Sequence, residues 1–338
     1  MIDLLVAGCG PAGAATAIRA ALAGLSVVVV EPRSGPIDKA CGEGIAHSAT
    51  SYLTRLGVEL TGREFHGIRY LDATHSVDAH FAAGPGLGVR RTTLQTALET
   101  RLSDLGVPVK RGRVGPITQT PDSVTAAGVT ARYLAAADGL HSPIRRQLGL
   151  CGESFGEVRR GLRQHFSVAP WTDLVEVYWS RLGEAYVTPV ADDLVGVAIL
   201  TSERGTFDSH LDAFPQLQRR LQGAEAASAV LGAGPLRQRV RARTAGRVLL
   251  VGDAAGYVDA LTGEGIAVAL RTSAELVDCI RADRPQDYET AWRRVSWECR
   301  LLTASLLWAR NRPLLAPRIV PAAAALPGVY RTIVNRLS

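Results

Sequence analysis

The spacing of apolar positions changes twice near the start of the chain. Leu4–Ala7 is a short apolar run, residues 11–23 are rich in alanine, and Val27–Val30 is an unbroken run of valine. Alanine favours helix, whereas a continuous β-branched run is typical of a parallel strand that is buried on both faces. Gly24 stands where the C-terminal cap of the helix is expected. The opening therefore predicts a strand, a helix and a second strand.

Later segments are predicted to extend the same layer. Residues 92–105 have apolar side chains at helical spacing, and a longer helix is predicted from about residue 265 to residue 281. Residues 107–109, 133–136 and 248–251 are short apolar runs, which indicates strands that return to the first sheet. The pattern is that of an α/β domain.

The middle of the chain has a different character. Residues 174–179, 185–190 and 194–200 have strand-like composition, and Asp192 and Asp193 suit a hairpin turn. These segments predict an antiparallel sheet that is inserted into the α/β domain. We expect the α/β domain to comprise residues 1–65, 89–158 and 240–285, the sheet domain residues 66–88 and 159–239, and a helical C-terminal segment residues 286–338.

Composition favours a globular protein with a large core. Of the 338 residues 47% are hydrophobic and 21% charged, which excludes a disordered or fibrous chain. The formal net charge is +6, but the cations are nearly all arginine and lie scattered along the chain. Because no basic run is interleaved with aromatic residues, we expect no nucleic-acid partner. No apolar run is long enough to span a membrane.

Cysteine usage and the N-terminus favour a cytoplasmic location. The cysteines are odd in number and widely spaced, without a zinc-type pair or a disulfide framework: Cys9, Cys41, Cys151, Cys279 and Cys299. The histidines show no metal-ligand or triad spacing, so we expect no metal site. The first residues lack the basic leader and cleavage site of a signal peptide.

A glycine motif joins the first strand to the first helix, and it reads Gly8-Cys9-Gly10-Pro11-Ala12-Gly13. Gly8 allows the tight turn, Gly10 lets the backbone approach a pyrophosphate, and Gly13 lets helix and strand pack closely. Phosphates then bind free N–H groups at the positive end of the helix. Glu31 closes the second strand, where an acidic side chain hydrogen-bonds a ribose. Together these features predict dinucleotide binding.

Two further motifs place an aspartate beside a glycine. Asp138-Gly139 is followed by Ser142 and Arg145, and Gly252-Asp253 comes directly after the predicted strand over residues 248–251. A carboxylate at the C-terminal edge of a strand can bond ribose or ribityl hydroxyls, and the glycine leaves room for a cofactor. Either pair alone is typical of a turn, but the three motifs in this order are specific.

Together the three motifs resemble the p-hydroxybenzoate hydroxylase superfamily of FAD enzymes, over roughly residues 1–280. Thr262-Gly263-Glu264-Gly265-Ile266 and Cys41-Gly42-Glu43-Gly44 resemble the geranylgeranyl reductase branch. The resemblance implies an α/β fold in which a Rossmann-like domain binds FAD non-covalently. It also implies that the inserted antiparallel β-sheet forms the substrate domain and that the C-terminus is helical.

The resemblance also implies roles for single residues in holding FAD. By this resemblance Glu31 contacts the adenosine ribose, Arg91 lies near the pyrophosphate, and Val114 lies beside the adenine. Asp138 belongs to a loop that serves two roles, and Asp253 contacts the ribityl chain. Backbone N–H groups near Gly265 and Ile266 face the flavin O2, where a helix N-terminus favours the negative charge of reduced flavin. The expected cofactor-binding residues are Gly8, Gly10, Pro11, Ala12, Gly13, Glu31, Pro32, Arg33, Gly42, Arg91, Val114, Asp138, Gly139, Gly252, Asp253, Gly263, Gly265 and Ile266.

The substrate sheet departs from the branch pattern. The branch usually carries Tyr-x-Trp-x-Phe-Pro, and residues 184–189 here read Glu-Ala-Tyr-Val-Thr-Pro. Pro189 is kept, and Tyr186 takes the place of the tryptophan, so we expect both to contact the substrate. The departure weakens the case for an isoprenoid substrate. Glu264 stands where the hydroxylase branch has other residues, which favours the reductase branch.

Three residues are candidates for chemistry at the flavin. Cys41, in its glycine-rich loop, is expected to contact the flavin or the substrate, although a small packed residue is the simpler interpretation. Glu43 and Glu264 are candidate acids for protonating a reduced carbon, because burial beside a flavin raises a carboxyl pKa as that role requires.

Two interpretations fit the C-terminal tail. Residues 292–338 interleave apolar residues with arginine and proline. They are either short helices packed across the sheet domain or an amphipathic lip that rests on a membrane or guides a lipid-like substrate. In the second case Arg310, Arg312 and Arg318 face phosphates, and the protein is peripheral to the membrane.

The resemblance implies an FAD-dependent oxidoreductase that acts on a hydrophobic small molecule. The leading hypothesis is transfer of hydride from reduced flavin to a C=C bond, with NAD(P)H as electron donor. Because no second dinucleotide motif exists, nicotinamide would bind transiently or not at all. The alternatives are an NAD(P)H-dependent flavin monooxygenase acting on an aromatic or polyketide-like substrate, a non-redox flavin cyclase, and a flavin-binding sensor. Substrate, donor and oligomeric state stay open.

Overall fold

The computed structural model describes residues 1–153 and 158–337. Residues 154–157 and Ser338 lie outside the described residues. They belong to the ends of the predicted segments 89–158 and 286–338. The strands of the described residues are, in chain order, β1 (Ile2–Ala7), β2 (Val27–Glu31), β3 (Gly44–Ile45), β4 (Arg63–Phe65), β5 (Gly67–Leu71), β6 (Ser76–His80), β7 (Gly86–Gly88), β8 (Val109–Arg111), β9 (Thr118–Gln119), β10 (Val124–Ala126), β11 (Val129–Ala136), β12 (Arg160–Ser167), β13 (Val175–Trp179), β14 (Gly183–Ala191), β15 (Leu194–Thr201), β16 (Glu225–Ala226), β17 (Leu231–Ala233), β18 (Thr244–Ala245) and β19 (Val248–Leu250). The α-helices are α1 (Pro11–Leu22), α2 (His47–Arg55), α3 (Arg91–Asp104), α4 (Pro143–Gln147), α5 (Phe207–Leu211), α6 (Pro215–Arg220), α7 (Gly265–Arg281), α8 (Tyr288–Arg310), α9 (Ile319–Ala325) and α10 (Pro327–Leu337).

The first sheet is built around β1. This strand pairs in parallel with β2 on one side and β11 on the other, and β8 and β19 extend the parallel set. Antiparallel strands β10 and β18 pair with β11 and β19. Because parallel strands end at one edge of a sheet, the turns after β1, β11 and β19 meet there. These turns carry the glycine motif and the two aspartate–glycine motifs.

The α/β core follows the predicted periodicity, with one shifted strand. Leu4, Leu5 and Val6 on β1 have no solvent-exposed surface. α1 begins with Pro11, whose fixed φ suits the first helical position, and packs against β1 and α7. The strand predicted over residues 107–109 begins only at Val109, because the Val107 N–H is bonded to the Leu102 carbonyl at the end of α3.

The second sheet has the order β16-β12-β15-β14-β13-β5-β6, with β17 beside β12. It confirms the predicted second sheet and is mostly antiparallel, the exception being the parallel pair β5 and β13. That exception arises because the β5–β6 hairpin comes from an earlier stretch of chain and joins the sheet at its edge. A small third sheet, β3-β7-β4, connects the two parts. The division into domains stays a prediction.

The C-terminal helices differ in length from the short helices expected. α8 is a single helix of 23 residues, because Pro313 is the first helix-breaking residue after Tyr288. α10 packs across the second sheet, where the Tyr330 hydroxyl donates to the Ile68 carbonyl at 3.1 Å. The Ala82 N–H donates to the side chain of Asn335 at 2.6 Å. Of the helices in the described ranges, none combines the length and apolar character of a membrane span.

Candidate functional site

The glycine turn after β1 is set by close packing. Gly8 has φ +99°, and a Cβ placed on it would lie 2.5 Å from the Ala137 carbonyl oxygen, at the end of β11. A Cβ on Gly13 would lie 1.9 Å from the Gly8 carbonyl oxygen. Both glycines therefore hold the turn against the helix and the neighbouring strand. Gly10, by contrast, opens toward a cavity.

That cavity has a volume of about 640 Å³ and is lined by residues from both large sheets and from α7 to α10. Most of the predicted site residues meet there, namely Gly10, Pro11, Ala12, Arg33, Cys41, Gly42, Glu43, Arg91, Gly139, Tyr186, Gly252, Asp253, Gly263, Glu264, Gly265 and Ile266. The predicted residues outside its lining are Gly8, Gly13, Glu31, Pro32, Val114, Asp138 and Pro189.

Glu31 joins the end of β2 to the glycine turn. Its carboxylate accepts hydrogen bonds from the Cys9 N–H at 2.8 Å and from the backbone and side chain of Arg33 at 3.0 and 2.8 Å. Burial acts to raise the pKa of Glu31, but the hydrogen bonds from Arg33 and Cys9 outweigh it and leave the pKa lowered. Contact of Glu31 with a ribose stays a prediction, as does that of Val114, which packs half-buried against the core.

Asp138 shapes the loop after β11. It accepts hydrogen bonds from the Ser142 hydroxyl at 2.5 Å and the Ile144 N–H at 3.0 Å, and so ties the loop to the start of α4, which Ser142 caps. Gly139, with φ +85°, faces the cavity, and a Cβ there would lie 3.1 Å from Lys39 Nζ. The aspartate thus positions the loop while the glycine borders the cavity.

A basic group stands at the mouth of the glycine turn. Arg91, at the start of α3, is only 6% exposed, and its Nη1 has no hydrogen-bond partner among the described residues. A Cβ on Gly10 would lie 3.8 Å from Arg91 Nη2. Burial lowers the pKa of Lys39 and raises that of Asp253, which also lines this part of the cavity. A buried guanidinium nitrogen without a partner beside free helix N–H groups fits the pyrophosphate of FAD. Sequence reasoning missed Lys39.

Glu264 directly precedes α7, and its side chain lines the cavity. It is 7% exposed, and its Oε2 has no hydrogen-bond partner among the described residues. Arg271 Nη2 lies 3.8 Å from this oxygen. Burial raises the pKa of Glu264 to about 7, against a lowering influence of Arg271. Glu264 can therefore hold or release a proton near neutral pH.

Glu43 is held from both sides. Its Oε1 accepts the Arg91 N–H at 2.8 Å, and its Oε2 lies 2.6 Å from His165 Nε2. His165 Nδ1 lies 3.1 Å from Arg163 Nη1, which can only donate. Nδ1 is therefore the acceptor nitrogen, and Nε2 carries the proton that is donated to Glu43. The histidine thus orients the Glu43 carboxylate.

The loop that carries Cys41 is fastened to the second sheet. The Thr188 hydroxyl donates to the Gly42 carbonyl at 2.7 Å. Burial raises the pKa of the Cys41 thiol, so it stays protonated at neutral pH. Sequence reasoning did not single out His165. Its only signal was the two-residue spacing from Arg163, which puts both on one face of a strand without saying which face is buried.

The expected substrate residues are separated by the fold. Tyr186 lines the cavity, and its hydroxyl donates to the Leu261 carbonyl at 2.7 Å. Pro189 does not line the cavity; its carbonyl oxygen packs against Gly88 instead. Its substrate contact stays a prediction. Beyond Tyr186 the cavity wall is apolar and includes Leu302, Leu306, Ala309, Ile319, Ala323 and Leu326.

Comparison with known families identifies the cofactor. A family model described as an FAD binding domain matches residues 1–282. The chain belongs to this family. This FAD-binding protein is 29% identical to the menaquinone reductase of Mycolicibacterium smegmatis over 323 residues, covering 86% of the chain and 79% of the relative. It is 26% identical to digeranylgeranylglycerophospholipid reductase 2 of Methanosphaera stadtmanae over 306 residues, covering 80% and 75%.

Solved structures show the same fold. The flavin-dependent halogenase CmlS superimposes with a TM-score of 0.81 at 21% identity. The match covers 91% of this chain and 64% of the halogenase. Together the comparisons confirm the predicted α/β fold and the resemblance to the FAD enzymes and their geranylgeranyl reductase branch. The protein is an FAD-dependent oxidoreductase.

Proposed function

We propose that this oxidoreductase reduces a C=C bond of a hydrophobic small molecule, for which bound FAD, reduced by NAD(P)H, supplies hydride. The proposal depends chiefly on Glu264, a buried carboxyl with a pKa of about 7 in a cavity whose far wall is apolar. The relatives named for menaquinone and for digeranylgeranylglycerophospholipid support a lipophilic substrate.

Glu264 is the proposed proton donor. Reduction of a C=C bond needs a proton for the second carbon, and a general acid works best when its pKa is close to the working pH. Glu43 also lines the cavity, but both of its oxygens accept hydrogen bonds from Arg91 and His165. Glu43 is therefore a positioning residue for the Cys41 loop. Cys41, whose raised pKa keeps it neutral, forms part of the wall beside the reacting atoms.

The remaining cavity residues are proposed to hold the cofactor. Arg91 and the N–H groups at the start of α1 bind the pyrophosphate, and Asp253 binds the ribityl hydroxyls. The N–H groups of Gly265 and Ile266, at the start of α7, face the flavin O2. Glu31 and Val114 border the adenosine. The apolar part of the cavity excludes water from the substrate.

The test is anaerobic. FAD-loaded protein is reduced with NADPH and then mixed with a menaquinone or with a polyprenyl lipid, and flavin reoxidation and the reduced product are followed. We expect reoxidation without oxygen, and a rate at least about a hundredfold lower in Glu264→Gln.

Other outcomes separate the alternatives. Reoxidation that needs dioxygen, coupled to hydroxylation of an aromatic compound, would establish a monooxygenase instead. Turnover without an electron donor would establish a cyclase. A sensor would be indicated by two results together: no electron donor supports turnover by the bound flavin, and the binding of a partner depends on the redox state of the flavin.

A further inference from the structure

Exposed apolar side chains concentrate at the C-terminal end of the chain. Among the described residues, thirteen large hydrophobic side chains are exposed, and seven of them fall between residues 297 and 333. We call these seven the C-terminal lip; they are 40–76% exposed and comprise Trp297, Leu301, Trp308, Leu314, Leu326, Val329 and Ile333. Single exposed apolar residues are ordinary, but a cluster of this size marks a contact surface.

Five of the seven lip residues fall on exposed faces of α8 and α10, whereas Leu314 and Leu326 lie in the connections between helices. Trp297, Leu301 and Trp308 follow one face of α8, and Val329 and Ile333 are four residues apart on α10. An ion pair of 3.5 Å between Arg336 and Glu298 brings the end of α10 beside α8. The two apolar faces are therefore neighbours.

The cavity reaches the surface within the lip. Leu326, Val329 and Ile333 line the cavity although they are 59%, 54% and 40% exposed. Ser305 on α8 lines it as well and is exposed. The opening between α8 and α10 thus has an apolar rim, which water alone would cover poorly.

The positive charge of the C-terminal segment indicates which kind of partner covers the lip. Residues 286–338 contain eight arginines and three acidic residues, a net charge of +5 out of +6 for the whole chain. Arg312, Arg318 and Arg331 are exposed and have no acidic partner in the ranges that the structure describes. A second copy would bring the same positive charge to the contact, whereas an anionic lipid surface attracts it. Trp308, with Arg312 stacked 3.7 Å from its ring, suits a lipid–water interface.

We infer that the C-terminal lip docks on an anionic lipid bilayer and that the cavity opens into the bilayer between α8 and α10. The inference of docking depends only on the composition and exposure of the lip. The inference that substrate passes through the opening rests on the proposed function. A hydrophobic substrate can then move from the lipid to the cavity without crossing water.

The test uses FAD-loaded protein and sucrose-loaded vesicles. We expect co-sedimentation with phosphatidylglycerol-rich vesicles, a loss of binding with phosphatidylcholine alone or at high salt, and quenching of tryptophan emission by brominated acyl chains. Trp308→Glu should weaken vesicle binding by about tenfold or more, because it replaces an inserted ring with a charge. Leu182→Glu is the matched control: Leu182 is 52% exposed and lies outside the lip, so this variant should bind as the parent does.

Three results would overturn the inference: no vesicle binding, equal loss in Trp308→Glu and Leu182→Glu, or a dimer in sedimentation velocity that Trp308→Glu dissociates. The last would assign the lip to a second copy. Vesicle binding needs no turnover, so a protein that docks but reduces no lipid would refute the proposed function and leave the docking intact.

The opening between α8 and α10 has its own test. Trp308→Glu should lose turnover of a vesicle-borne substrate and keep turnover of a short-chain, water-soluble one. Equal loss of turnover with the two substrates would refute passage of substrate through the opening.

Discussion

Glu264 makes the stability of the protein depend on pH in a direction opposite to that of most carboxylates. Burial raises its pKa from 4.5 to about 7, and its Oε2 lacks a hydrogen-bond partner within the described residues. Below pH 4.5 the carboxyl is protonated in both the folded and the unfolded chain, so it imposes no penalty. As the pH rises from there to 7, the unfolded chain ionises while the folded chain stays protonated, and the free energy of unfolding falls. Above pH 7 both are ionised and the penalty is constant.

The size of the effect follows from the two pKa values. Each tenfold difference in proton affinity between the folded and unfolded chains corresponds to ~1.4 kcal/mol. The pKa of Glu264 is 4.5 in the unfolded chain and about 7 in the folded chain, so its ionisation lowers the free energy of unfolding by about 3 kcal/mol at most. About 2.5 kcal/mol of this falls between pH 5 and pH 8. Glu264→Gln keeps the shape of the side chain and removes the ionisation. Its stability relative to the parent should therefore rise by about 2.5 kcal/mol across that interval.

Urea unfolding of flavin-free protein at pH 5, 6, 7 and 8 measures this difference directly. The flavin-free form is used because a bound cofactor would change the surroundings of Glu264. Glu64→Gln serves as the control, since Glu64 is exposed on β4, and its curve should run parallel to that of the parent. Parallel curves for Glu264→Gln as well would show that this carboxyl is not buried as the structure has it, and would remove the case for Glu264 as proton donor.

Three other variants test the site. Arg91→Ala should raise the Kd for FAD about tenfold or more, because a buried charged donor is lost, and an unchanged Kd in a titration of flavin fluorescence would contradict its role. His165→Ala leaves Oε2 of the buried Glu43 carboxylate without its donor and should lower the free energy of unfolding by about 3 kcal/mol, whereas His165→Gln should recover part of this loss. Equal stability of all three proteins would refute the pairing. Gly13→Ala places a methyl group 1.9 Å from a backbone oxygen and should abolish FAD binding or folding, whereas Gly115→Ala, with nothing within 4 Å, should be tolerated; two equally tolerated variants would disprove the tight turn.

Several features were readable from the sequence because they are local. The glycine turn needs residues without side chains at fixed spacing, and the strand–turn–helix unit around it needs only apolar periods of two kinds. The strands and most helices of the α/β core follow for the same reason, as does Glu264, which stands next to the first residue of α7. The end of β2 and the acid that closes it were also predictable, since both belong to one short motif.

Other features required the tertiary structure because they join distant parts of the chain. Glu43 meets His165 across 122 residues, and a strand pattern does not say which of its faces is buried or which loop covers it. The same holds for Pro189, which the sequence grouped with Tyr186 although only Tyr186 reaches the cavity. The parallel pairing of β5 with β13 and the opening of the cavity between α8 and α10 depend on which elements pack together. Periodicity determines the element and its apolar side, whereas its partner is set by the summed burial of surfaces that are far apart in the chain.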